Sequence, residues 1–130
     1  MLGDIARDAS ADPALLEGGF SFHQLDAICL SKGPGSYTGL RIGAAVAKGL
    51  CYALEKPLIT VNTLYSMVVS LIQDHAEKLD NHQASLFCPM IDARRMEVYT
   101  AIYDAQLHEI SETKALIITD TSFTEYQGRK

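Results

Sequence analysis

The chain has 130 residues, 48% of them apolar, and a net charge of −5, a composition for one globular core and not for a disordered polymer. Its eleven basic residues are spread without a run, which excludes strong nucleic-acid binding by the chain alone. No apolar stretch is long enough to span a membrane, and the first residues carry early acids with no signal-peptide core.

In chain order, Leu2, Ile5, Ala6 and Ala9 fall at helical spacing and read as the tail of an amphipathic helix. Asp12-Pro13 opens a turn that ends at Gly18-Gly19, and Ser21 with Gln24 matches a capping box. Asp26 to Ser31 is the first clear strand, and its apolar run Ala27-Ile28-Cys29-Leu30 suits burial on both faces. A glycine-rich loop, Ser31 to Gly43, leads into a helix ending at Leu54, which Glu55-Lys56-Pro57 breaks. Leu58 to Val61 is a second buried strand, so strand, helix and strand make a βαβ crossover with parallel strands. Asn62 or Thr63 caps the next helix, Leu64 to about Lys78, with Leu64, Val68, Leu71 and Ile72 on its apolar side. Ser85 to Ile91 and Glu97 to Tyr103 are β runs flanking Asp92-Ala93-Arg94-Arg95, a hairpin, and Ile110 to Lys114 returns as a third antiparallel strand. Asp120-Thr121-Ser122 caps a final short helix. Two parallel strands are few for a stable sheet, so the chain reads as part of a larger fold.

The glycine loop is the informative motif. Glycines bring backbone N–H groups close to a docked group, and the helix start that follows carries partial positive charge. Gly33, Gly35, Ser36 and Thr38 are therefore candidate anion contacts. The spacing fits neither a P-loop nor the dinucleotide fingerprint, and Pro34 removes a donor, so a tight turn is an equal reading. Tyr37 suggests a contact surface. Gly39, Gly43 and Ala47, four apart, form a small-residue helix face for close packing, on the chain's own sheet or on a partner. Arg41 stands near the helix start, where a cation is unfavourable unless an anion lies near.

Cys29, Cys51 and Cys88 form no C-x-x-C pair, so buried reduced thiols of a cytoplasmic protein are expected. His23, His75, His82 and His108 show no metal-ligand spacing. No catalytic residue, metal or cofactor is assigned on the residues alone.

The run Ser31-Lys32-Gly33-Pro34-Gly35-Ser36-Tyr37-Thr38-Gly39-Leu40-Arg41-Ile42-Gly43 resembles the bacterial TsaB (YeaZ) family. So do Ala47 to Leu50, Pro57 to Ile59, Val61 to Leu64 and the downstream Asp92-Ala93-Arg94-Arg95-Met96-Glu97-Val98-Tyr99. The resemblance implies an α/β ASKHA fold, actin-like and ribonuclease-H-like, here a βαβ crossover followed by an antiparallel hairpin or meander. Residues 1–80 would be the remainder of the N-terminal lobe and 81–130 the start of the second. It also implies a non-catalytic scaffold role in making threonylcarbamoyladenosine in tRNA. The partners would be a TsaD-like catalytic subunit and a TsaE-like ATPase, with a homodimer as another assembly and tRNA met only through the complex. The implied interface is the helix after the glycine loop together with the Leu2 to Ala9 stretch, with Tyr37, Gly39, Arg41, Gly43, Ala47 and Leu50 as its candidate residues.

Two departures stand out. The family's opening strand ending in Asp-Thr-Ser and its β-meander are absent, as are its closing helices and strands after Lys130. A fragment, poorly stable alone, is expected. The rivals are an anion- or nucleotide-binding enzyme domain that uses the Gly33–Gly39 loop, and a non-functional remnant.

Overall fold

Three punctuation points, Gly33-Pro34-Gly35, Glu55-Lys56-Pro57 and Asn62, cut the first half into strand, helix, strand and helix. The computed structural model describes residues 21–75 and 85–126. The expected features at Leu2–Ala9 and Asp12–Gly19 lie outside the described residues, and the helix expected to reach about Lys78 ends earlier, at Asp74 with His75 as its C-cap.

A 3-10 turn, Phe22–Gln24, comes first, opened by the expected capping box of Ser21 and Gln24, in which the Ser21 N–H donates to Gln24 Oε1 at 2.8 Å. Strand β1 (Ile28–Ser31) pairs in parallel with β2 (Leu58–Val61), Ile28 opposite Leu58 and Ser31 opposite Val61. Helix α1 (Tyr37–Leu54) makes the crossover. Ser36 caps it, with Oγ accepting from the Gly39 N–H at 3.4 Å, and Glu55 stops it in a left-handed conformation.

Helix α2 (Thr63–Asp74) begins where Asn62 Oδ1 accepts the Leu64 N–H at 2.8 Å. An antiparallel sheet follows: β3 (Leu86–Phe87), β4 (Met90–Arg94), β5 (Glu97–Asp104) and β6 (Glu109–Ile117). β3 and β4 run along one edge of β5 in a single register, from Phe87 opposite Tyr103 to Met90 opposite Thr100. β6 takes the other edge of β5. The expected run Ser85 to Ile91 is thus two strands, because Pro89 has no N–H for the ladder. The return strand is longer than expected and absorbs Leu116 and Ile117. The chain ends its described part in a 3-10 turn, Thr124–Tyr126.

The residues fall into two compact units. One holds β1, α1 and β2; the other holds Gly33–Gly35, α2 and the antiparallel sheet. This division runs after Val61, whereas the expected lobe boundary lies at residue 80. The difference comes from α2, whose Leu64 and Val68, 0% and 2% exposed, share a core with Phe87, Ala101 and Tyr103. Tyr65 meets Tyr103 edge to face, ring centroids 6.0 Å apart.

Two expectations are corrected. β1 and β2 are not buried on both faces: Cys29, Ser31 and Ile59 are exposed on the face that α1 does not cover, among the described residues, and Thr60, opposite Leu30, is exposed as well. The thiols are not all buried either. Cys29 sits on that open face, Cys88 is exposed between β3 and β4, and Cys51 is half-buried.

Candidate functional site

α1 sorts the sequence-predicted residues onto two faces. A Cβ built on Gly43 would lie 3.3 Å from Leu30 Cδ1, and Ala47 is 5% exposed. With half-buried Leu50 they form the sheet side of the helix. Gly43 and Ala47 therefore seat α1 on its own strands, one of the alternatives the sequence left open, whereas Gly39 is exposed.

The solvent-exposed part of α1 carries Tyr37 (73% exposed), Ile42 (60%), Val46 (57%) and Tyr52 (77%). Sequence reasoning picked out Tyr37 and Arg41 there and missed the other three. Their signal was available: Ile42 and Val46 are four apart and one position before Gly43 and Ala47, about 100° round the helix. Tyr37, Thr38, Arg41, Ile42 and Ala45 line a shallow hollow of about 360 Å³. The Arg41 guanidinium stands 5.4 Å from the centre of the Tyr37 ring and donates to its hydroxyl at 3.3 Å. Among the described residues Arg41 forms no ion pair and is held by the aromatic ring.

The glycine loop gives its groups to the backbone. Gly33 has φ 100°, a conformation that favours glycine, and its carbonyl accepts the Thr63 N–H at 2.9 Å. Ser36 Oγ is the α1 cap and the Gly39 N–H is its donor. Among the described residues no group of three His, Cys, Asp or Glu could hold a metal ion.

At the β4–β5 turn, Arg94, Arg95 and Met96 have φ 69°, 54° and 66°. Three consecutive non-glycine residues in the left-handed region cost about 1–2 kcal/mol each. Positive φ at both central residues matches the twist of a two-residue hairpin, where Asn-Gly is the favoured pair. Asp92 Oδ1 accepts the Arg94 N–H at 2.7 Å. Met96 is 86% exposed.

Comparison with known proteins places the chain. A family model described as TsaD, tRNA N6-adenosine threonylcarbamoyltransferase, matches residues 8–125. The tRNA threonylcarbamoyladenosine biosynthesis protein TsaB of Haemophilus influenzae is 36% identical over 68% of this chain and 34% of its own length. A tRNA N6-adenosine threonylcarbamoyltransferase of Clostridium perfringens is 39% identical over 55% of this chain and 21% of its own. The solved structure of YeaZ from Pseudomonas aeruginosa superposes with a TM-score of 0.68 at 29% identity, over 79% of this chain and 47% of that one.

The chain belongs to the TsaB (YeaZ) family.

Its βαβ unit and antiparallel sheet are those of the ASKHA-like fold. The TsaB-like chain spans from about a third to under a half of the length of the TsaB and YeaZ relatives it matches. No helix among the described residues is long and apolar enough to cross a membrane.

Proposed function

We propose that this TsaB-like chain takes part in threonylcarbamoyladenosine biosynthesis on tRNA as a non-catalytic subunit that docks on a TsaD-type transferase. The outer face of α1 carries this reading. Two tyrosines and two β-branched residues stand exposed along one helix, next to a guanidinium that has no carboxylate partner among the described residues. Apolar and aromatic residues with a central arginine are the composition of a protein interface, and isolated exposed apolar residues need no such account. On this reading the protein works in the cytoplasm, and a TsaE-type ATPase joins the same assembly.

A pull-down with the transferase tests it. Ile42→Glu with Val46→Glu places charge on the outer face and leaves the Leu30–Gly43 packing untouched. Capture should fall at least tenfold, with the circular dichroism spectrum unchanged. Undiminished capture by the double variant, or tight ATP binding by the chain alone, would overturn the reading. A second copy of the chain is the other occupant this face could take. Sedimentation of the chain alone reads it: a dimer that Ile42→Glu splits, with no transferase capture, assigns the face to self-association.

A further inference from the structure

The β4–β5 tip is not used by the docking reading, and it sets two cations side by side. Arg94 and Arg95 are adjacent and exposed. Neither guanidinium makes an ion pair or a side-chain hydrogen bond among the described residues. The nearest carboxylate in sequence, Asp92, spends one oxygen on the Arg94 backbone N–H and so orders the turn without neutralising a guanidinium. Glu97, opposite Arg94 in the register, forms no ion pair with it. The backbone there favours glycine or asparagine at three successive positions, yet two of the three carry arginine. Two cations are thus held on a short, hydrogen-bonded turn in a chain whose net charge is −5.

From this we infer that Arg94 and Arg95 form a phosphate-contacting tip for the RNA backbone, resting on the family's role in tRNA modification. Guanidinium presents paired N–H donors to phosphate oxygens, and a preorganised turn lowers the ordering cost of that contact. Contact to phosphate positions an RNA without reading its sequence. Two guanidiniums make an auxiliary contact, in keeping with a chain too acidic to hold nucleic acid strongly by itself.

The test is fluorescence anisotropy of labelled substrate tRNA over a salt series, with the chain together with its transferase and with the chain alone at low salt. Arg94→Asn/Arg95→Asn removes both charges, and asparagine takes left-handed φ more easily than arginine, so the hairpin is kept. Arg94→Lys/Arg95→Lys keeps the charge. The asparagine variant should bind at least fivefold more weakly, and its log–log salt slope should be shallower by about 0.7–0.9 for each lost phosphate contact. The lysine variant should recover most of the affinity, and a tRNA of scrambled sequence should show the same loss. Equal affinity and slope in wild type and asparagine variant would overturn the inference, as would no detectable tRNA binding by wild type in either format. Transferase capture, measured in the same preparations, separates the two proposals. If the asparagine variant loses capture and keeps its tRNA affinity, the tip contacts an acidic protein surface and the RNA assignment fails. If wild type captures nothing, the docking reading fails, and the tip is still read by the salt slope of the chain alone.

Discussion

At the scale of single residues, polar side chains organise the ends of β5. Asp104 accepts from the Gln106 and His108 backbone N–H groups at 2.9 and 2.8 Å and meets His108 Nδ1 at 2.9 Å. Partial desolvation works against its charge, but the His108 and Gln106 hydrogen bonds outweigh it and hold the carboxyl below its ordinary value. The neighbouring Tyr103, 2% exposed, is pushed the other way by burial and by the Glu109 carboxylate. The linkage signs follow. A depressed carboxyl contributes stability above the unfolded carboxylate value, about pH 4, and loses it as pH falls through the folded one. A raised phenol contributes below about pH 10 and loses it as pH rises toward the folded value. The urea midpoint should therefore be flat between these limits and fall on both sides. Asp104→Asn should shrink the acid fall and Tyr103→Phe the alkaline one; identical limbs in the variants would refute the assignment.

At the scale of elements, α1 shows how one helix uses small residues for two purposes. Gly43 lies under Leu30, whereas Gly49 has nothing within 4 Å of an added Cβ. Gly49→Ala should stabilise the chain by about 0.5–1 kcal/mol through helix propensity alone. Gly43→Leu should destabilise it, since the new side chain must displace β1. Urea denaturation of both variants checks this, and equal effects of the two would contradict the face assignment. The crossover was legible because its signals are local: a buried apolar run, a glycine loop, a capped periodic helix and a second run. The face of α1 that meets the sheet was legible as small residues, but not which side it served, because spacing gives a stripe and only β1 gives its direction. The β4–β5 turn was placed correctly but its shape was not, since Arg95-Met96 carries none of the chemistry that marks such a turn. The split at Pro89 followed from one missing donor inside an otherwise continuous run. Of the candidate site residues, Tyr37 and Arg41 are exposed on α1, while Gly43 and Ala47 serve internal packing.

At the scale of the whole molecule, burial is unequally shared. Leu64, Val68, Phe87 and Thr100 to Tyr103 are buried in the unit built on the antiparallel sheet. In the βαβ unit Ala47 is the buried side chain among the described residues. Opening free energy follows such differences, so amide exchange should be slowest along Glu97–Asp104 and much faster along Ile28–Ser31. Native-state hydrogen exchange by mass spectrometry reads both segments in one experiment. Comparable protection in the two would show that the first unit draws on stability its own core does not supply. The TsaB-like family assignment gives this asymmetry a context, since the chain matches under half the length of its relatives.

The break at Pro89 has a further consequence. Among the described residues β4 and β6 are the outer strands of the antiparallel sheet. An outer strand is a template on which a foreign strand can grow into an aggregate. On the β3–β4 side the template is interrupted by a residue without a donor and, three residues on, by the register shift between Asp92 and Arg94. On the β6 side Glu109, Glu112 and Lys114 put charge along the strand. Both borders thus discourage strand addition.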